Sequence, residues 1–298
     1  MKSSWKTQPE RGNRILLRLM AGIASWLGRP VARAVLYPIC LYYVAFSGKA
    51  RRAVSRFRER ALERPTTWRE LFGHYYAFAS TILDRVYFLR GEFNRFDIHV
   101  QGLEALDRVL EQQRGCLLLG SHLGSFEVVR AVGLSRTHIE LRVLMDEANA
   151  PMIRALIQEL NPAVADTVIQ VGHPDSMFHV KDCLDRGGVV GIMGDRITRE
   201  DQTVSCRFLG QEAKFPTGGM RLAHVTGVPV LLFFGLYRGE NRYDIHLEPF
   251  SPSVQLPADG RAQAIEEWTQ RYVARLEAFC RQAPDNWFNF YEFWRDAQ

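Results

Sequence analysis

The chain of 298 residues is 47% hydrophobic and 24% charged, with 23 glycines and 13 prolines. This composition excludes a disordered, collagen-like or coiled-coil polymer and allows one large domain or two ordinary ones. The net charge of +5 conceals an asymmetry, because residues 1–60 hold thirteen Lys or Arg against Glu10 and Glu59, a local +11 that leaves −6 for the remainder. The five cysteines (Cys40, Cys116, Cys183, Cys206, Cys280) are odd in number and fit no C-x-x-C spacing. Neither a disulfide framework nor a thiolate metal site is expected, and a reducing compartment fits.

A basic end on a mildly acidic body calls for an anionic surface as partner. No finger, RNP or helix-turn-helix signature accompanies the charge, so nucleic acid is not expected. Residues 16–47 are instead strongly apolar, yet the charge-free stretch 34–48 is shorter than the ~20 residues of a bilayer span and is interrupted by Pro38. A signal peptide fits poorly, since no small-x-small cleavage site follows. The expectation is one or two helices in a membrane interface, with Tyr37, Tyr42, Tyr43 and Phe46 at headgroup depth. Arg29, Arg33 and the basic cluster 49–60 would then meet anionic phosphates. The alternatives are an amphipathic helix pair packed on its own domain and a full span.

Downstream, Leu71, Tyr75, Phe78, Ile82, Val86 and Leu89 recur at helical spacing and predict a long helix over 66–89. Strands are expected at 96–100, 116–120, 140–145, 167–171, 189–193, 228–236 and 243–247. Between them, helical patterns occupy 102–113, 125–133, 150–160, 175–186 and 217–226. This alternation implies an α/β fold with a mostly parallel central sheet flanked by helices, whose ligands sit beyond the carboxyl ends of the strands. Residues 1–48 read as a membrane-associated helical segment, and 49–298 read as one domain.

The stretch from Gly115 to Glu127, GCLLLGSHLGSFE, reads as a buried strand, a polar turn and a helix start. His122 and Glu127 are five apart and would face different ways on a continuous helix. They meet only if His122 precedes the helix and Glu127 lies in its first turn, which this turn permits. A carboxylate on one imidazole nitrogen leaves the other free as a general base. The same residues also make a plain helix start with Gly124 as N-cap, and His122 is then an ordinary turn residue. The G-x-G-x-x-G, G-x-S-x-G and H-E-x-x-H patterns are absent, so dinucleotide, serine-hydrolase and zinc-protease readings fail.

These residues resemble a known family. His122-x4-Glu127 is similar to the H-x4-D/E block of the lysophospholipid acyltransferase superfamily. Gly191-Ile-Met-Gly-Asp-Arg196, then Phe208-Leu-Gly210 with Phe215-Pro-Thr-Gly218, then Gly227-Val-Pro-Val230 resemble, in order, further blocks of the lauroyl/myristoyl acyltransferases of lipid A biosynthesis. The carboxyl-terminal Pro284–Trp294 keeps the aromatic character but lacks a His-Arg-Arg-type cluster. In this it is similar to a less characterised branch linked with polyene-pigment and fatty-acid-like assembly systems.

The resemblance implies acyl transfer from an acyl carrier protein or coenzyme A thioester to a hydroxyl or amine of a membrane lipid acceptor. The expected place is the cytoplasmic face of a bacterial inner membrane. His122 would be the base and Glu127 its orienting carboxylate, with no metal or other cofactor required. Arg196 would hold an acceptor anion and Asp195 would orient Arg196; a purely structural ion pair is the alternative. Thr217 and Gly218 would turn a hydroxyl and helix N-terminal amides toward an oxyanion, or else form a simple turn and cap. Ser121 is a polar support of the site. A catalytically silent docking protein of the same fold, or a lipid hydrolase, are the alternative functions.

Overall fold

The computed structural model describes residues 22–128, 139–145, 151–197 and 201–294. Its centre is a seven-stranded sheet in the spatial order β1-β9-β8-β2-β5-β3-β4. The strands are β1 (Asp97–Gln101), β2 (Cys116–Gly120), β3 (Leu141–Met145), β4 (Val168–Gln170), β5 (Val189–Met193), β8 (Val230–Tyr237) and β9 (Arg242–Ser251). A separate antiparallel hairpin joins β6 (Thr203–Phe208) to β7 (Gln211–Pro216). Five strands, β8-β2-β5-β3-β4, run parallel, whereas β9 runs antiparallel to β8 and carries β1 parallel to itself. All seven expected strands form, within a few residues of their expected bounds.

The middle strands read as unbroken apolar runs because both faces are covered. Leu117 and Leu119 of β2 join one core with Leu232, Phe234 and Leu236, while Cys116 and Leu118 join a second core with Leu231, Phe233 and Tyr237. Helix α5 (Pro151–Leu160) follows β3, and the first core is closed by the hairpin and helices α6 (Ser176–Asp185), α7 (Gly218–Thr226) and α8 (Arg261–Gln282). The second is closed by α1 (Gly28–Phe46), α3 (Trp68–Leu89) and α4 (Leu103–Glu111). Helix α3 starts at a capping box, in which Glu70 N meets the Thr67 hydroxyl and the Glu70 carboxylate accepts from Thr67 N. The expected 125–133 helix is seen over 126–128; the rest of it lies outside the described residues.

The amino-terminal helix shares the core with the domain. Ala32, Leu36, Cys40 and Val44 are buried at four-residue spacing in the same core as residues of α3, so residues 28–46 pack on the helices that follow. Helix α1 bends by 92° at Ser47 into α2 (Gly48–Leu62), and among the described residues no single helix is long and apolar enough to cross a membrane. Most of the arginines expected on lipid phosphates have partners within the protein, some of them at its surface. Arg29 makes two hydrogen bonds, of 2.7 and 2.8 Å, to the buried Asp84, and Arg33 reaches the Tyr76 hydroxyl. On α2, Arg51 bonds the carbonyls of Val44 and Ala45, Arg56 pairs with Glu292, Arg58 with Asp285, and Arg60 with Gln211. For Arg29 and Arg58 burial supplies the reason, since a buried guanidinium left without a carboxylate is costly, whereas Arg56 and Arg60 make their bonds at the surface. Lys49 and Arg52 remain exposed.

Candidate functional site

Strands β2 and β5 lie side by side in the middle of the sheet and end together, with Gly194 N bonded to Gly120 O at 2.9 Å. The turn after β2 carries Ser121 and His122; the turn after β5 carries Asp195 and Arg196. Gly124 closes the first turn at φ +77, where a Cβ would stand 1.9 Å from Gly235 O. Only glycine fits both the left-handed backbone and that approach.

The two turns bring His122 and Asp195 together. Asp195 Oδ1 accepts from His122 N at 3.0 Å and lies 2.8 Å from His122 Nδ1, while Oδ2 accepts from Trp287 Nε1 at 3.1 Å. Asp195 is 1% exposed, whereas the His122 side chain is 35% exposed. Burial alone would raise the Asp195 pKa, but His122, Arg196 and the hydrogen bonds outweigh it and hold the carboxyl below its ordinary value. Burial and the nearby Arg196 push His122 below the ordinary histidine value, against the pull of Asp195. A neutral imidazole beside a carboxylate donates from Nδ1 and leaves Nε2 with its lone pair.

The carboxylate on His122 is therefore Asp195, and not Glu127 as the local spacing suggests. Glu127 is buried, and its Oε1 lies 2.9 Å from Arg85 Nε of α3. Glu127 enters the helix that follows Ser125 and turns to α3, while Asp195 arrives from the adjacent parallel strand at the level of His122. Arg85 is a site residue that spacing did not point to. Its charge also lowers the His122 pKa. The adjacent charges Asp84-Arg85 inside a long apolar helix were the available signal.

Arg196 donates from Nη2 to the Phe288 carbonyl at 2.8 Å, and no bond to Asp195 accompanies it. Asp195 thus orients His122 rather than Arg196. Arg196 Nε is buried without a partner. Thr217 departs from expectation as well. Its backbone N–H and its hydroxyl both donate to Gln202 O, at 2.9 and 3.0 Å, and its oxygen accepts from Arg221 Nε. The hydroxyl makes no cap bond to α7; it is taken up by Gln202 and Arg221 and ties α7 to the segment before β6. Gly218 opens onto free space, and Gly219 and Gly194 both abut the Leu119 Cδ1 methyl, so the start of α7 lies close to the ends of β2 and β5. Ser121 is buried beside Tyr272, whose hydroxyl donates to Gly120 O at 2.8 Å. Among the described residues, no group of three or more His, Cys, Asp or Glu is placed to hold a metal. A cavity of about 400 Å³ lined by Arg142, Gln170, His173 and His179 lies at the β3–β4 edge and includes none of the His122 group.

A neutral, partly exposed histidine held by a buried aspartate can remove a proton from a hydroxyl, amine or water. The family model described as bacterial lipid A biosynthesis acyltransferase matches residues 74–296. The match defines the protein as an acyltransferase, and it covers the His122, Asp195 and Trp287 segments alike. The chain belongs to the bacterial lipid A biosynthesis acyltransferase family, and acyl transfer to a lipid acceptor is the reaction that membership indicates. No curated relative matches the chain.

The lowered His122 pKa has a kinetic consequence. Activity that needs neutral His122 persists below the ordinary histidine value of about 6.5 and is lost as pH falls through the depressed value. Arg196→Gln removes a cation that disfavours the imidazolium, so the acidic limb of kcat/KM should move to higher pH. An unmoved limb would show that Arg196 does not act on His122.

Proposed function

We propose that the protein is a membrane-associated acyltransferase that moves an acyl group from an acyl carrier protein or coenzyme A thioester to a hydroxyl or amine of a lipid or glycolipid-like acceptor. His122 Nε2 takes the acceptor proton as the oxygen or nitrogen attacks the thioester carbonyl, and the imidazolium returns it to the departing sulfur as the C–S bond breaks, so that the carrier leaves as its free thiol. Asp195 fixes the imidazole tautomer and steadies the positive charge that develops. The His122–Asp195 pair at the open end of the sheet carries this reading. Arg85 and Arg196, flanking His122, supply positive charge for an oxyanion or an acceptor anion, and the amides at the start of α7 are a second candidate for the oxyanion. Glu127 acts through Arg85. The tail from Trp287 to Trp294 carries Glu292 as its one charge, and Arg56 pairs with it. The proposed acceptor accordingly has one anionic group or none, on an apolar chain, as for the polyene- and fatty-acid-assembly branch. The test is mass spectrometry of products from purified protein given acyl carrier protein and coenzyme A thioesters with extracted membrane lipid. An acylated lipid that depends on His122 supports the reading, and efficient acylation of a bisphosphorylated lipid A precursor would overturn the acceptor.

Membrane attachment is proposed through the outer face of α1, at the cytoplasmic face of a bacterial inner membrane. Val31, Tyr37, Leu41, Tyr42 and Phe46 of α1 and Trp26 and Leu27 just before it are exposed, as are Trp68 and, on the adjoining α2, Lys49 and Arg52. An uncharged face edged by cations is what an anionic bilayer interface accepts. Leu41→Gln and Phe46→Gln should each weaken sedimentation with phosphatidylglycerol-containing vesicles by about tenfold, the value of one large apolar side chain. Lys49→Gln and Arg52→Gln should remove the salt-sensitive part of binding. Unchanged sedimentation of the Leu41, Phe46 double variant would reject this face.

A further inference from the structure

The segment after α8 runs through the site like an added strand. Gly124 N bonds Asn286 O at 2.8 Å, Leu123 and Trp287 form an antiparallel bridge, and Phe288 N bonds His122 O at 3.0 Å. Asn286 anchors the segment from beneath: its amide accepts from Tyr237 N at 2.7 Å and donates to Tyr237 O at 3.0 Å. Arg196 holds the Phe288 carbonyl. The backbone of His122 is therefore gripped by the tail on one side and by Asp195 on the other.

Trp287 stands at the centre of this arrangement. It is 1% exposed and is wedged between Phe57 of α2, Phe208 of β6 and Phe293, with ring centroids 4.7, 5.2 and 4.9 Å away. Packing on three sides leaves the indole one orientation, and in it Nε1 reaches Asp195 Oδ2. Asp195 Oδ1 is already taken by the two His122 donors, so the indole fills the oxygen that His122 does not use. A buried carboxylate with one oxygen unsatisfied would rotate or draw in water, and either change would disturb His122.

The geometry points to Trp287 as a positioning residue of acyl transfer: its N–H locks the Asp195 carboxylate so that one oxygen faces His122 in a single orientation. This inference rests on the proposal that His122 is the base. Trp287 touches no reacting atom, and its effect passes through Asp195. A substitution that removes the N–H should lower kcat while leaving KM for donor and acceptor nearly unchanged, because the lost interaction steadies the reacting base and not the bound substrates.

The experiment compares full-length protein carrying Trp287→Phe with protein in which benzothienylalanine replaces Trp287, the same shape with sulfur in place of the N–H. Both should lose kcat by about 10- to 100-fold, the scale of a hydrogen bond to a buried charge. KM should stay within about twofold, and the nitrogen resonances of His122 should show a mixture of tautomers in place of Nδ1–H alone. Trp287→His, which restores a ring N–H, should recover part of the loss. The isosteric analogue keeps the packing, so it decides the matter even where Trp287→Phe is poorly folded. Wild-type kcat and an unchanged His122 signal in the analogue protein, with His122→Ala silent, would overturn the role of Trp287 alone. Activity retained in His122→Ala would overturn the general-base reading as well.

Discussion

Asp195→Asn is expected to lower acyl transfer by about 10²- to 10⁴-fold, as His122→Ala should, with the fold intact in both. The amide keeps the shape of the carboxylate but offers no negative charge to the developing imidazolium, and it can hold the wrong tautomer. The double variant should be no worse than His122→Ala, because the two residues act as a unit. Glu127→Gln should cost less than Asp195→Asn, since Glu127 meets Arg85 and not His122 Nδ1. Initial rates with a thioester donor, alongside thermal melting of each variant, give the comparison. A Glu127 variant more damaged than the Asp195 variant would reverse the assignment of the orienting carboxylate.

Removal of residues 1–48 should abolish folding rather than release a soluble domain. The deletion strips Leu36 and Val44 from the second core, at about 1.5–3 kcal/mol each. It also leaves Asp84, fully buried, without Arg29, at about 3–5 kcal/mol for a broken buried pair. Together these approach the about 5–15 kcal/mol that holds an ordinary domain folded. Arg29→Met is the milder test, with a loss of about 3 kcal/mol measured by denaturation in detergent. Tyr243 still donates to Asp84 in that variant, at 2.7 Å, and moderates the loss. A truncated protein with an intact cooperative melt would show that α1 is dispensable to the core.

The sheet was legible because its strands are apolar runs bounded by turns, and β2 and β5 match their expected bounds to the residue. The hairpin was not read, although Leu209 and Gly210 both take positive φ in the tight turn between β6 and β7. Helix α8 was also passed over. Its buried Ile265, Thr269, Tyr272, Val273, Leu276 and Phe279 keep helical spacing in a stretch otherwise polar enough to resemble surface.

At the site, His122 and Asp195 were both recognised as chemical residues, but their partnership was not. They are 73 positions apart, and only the sheet order, which sets β5 directly beside β2, makes them neighbours. Spacing along one turn favoured Glu127 because it sees only local geometry. The aromatic character of Pro284–Trp294 is plain in the sequence, but it says nothing of which ring N–H meets Asp195. The basic cluster on α2 read as a lipid-facing surface because charge density carries no information about which carboxylates fold back onto it.

Those α2 arginines have a consequence in the order of synthesis. Arg56 and Arg58 clamp Glu292 and Asp285, and the Arg60 guanidinium lies 4.1 Å from the centre of the Trp294 ring. The clamp is translated early, the base and its aspartate in the middle, and the Trp287 segment more than ninety residues after Asp195. A chain made as far as Asp195 thus carries His122 and Asp195 without the strap that seats them. The site is therefore completed last, when the Trp287 segment has been made and closes under the arginines.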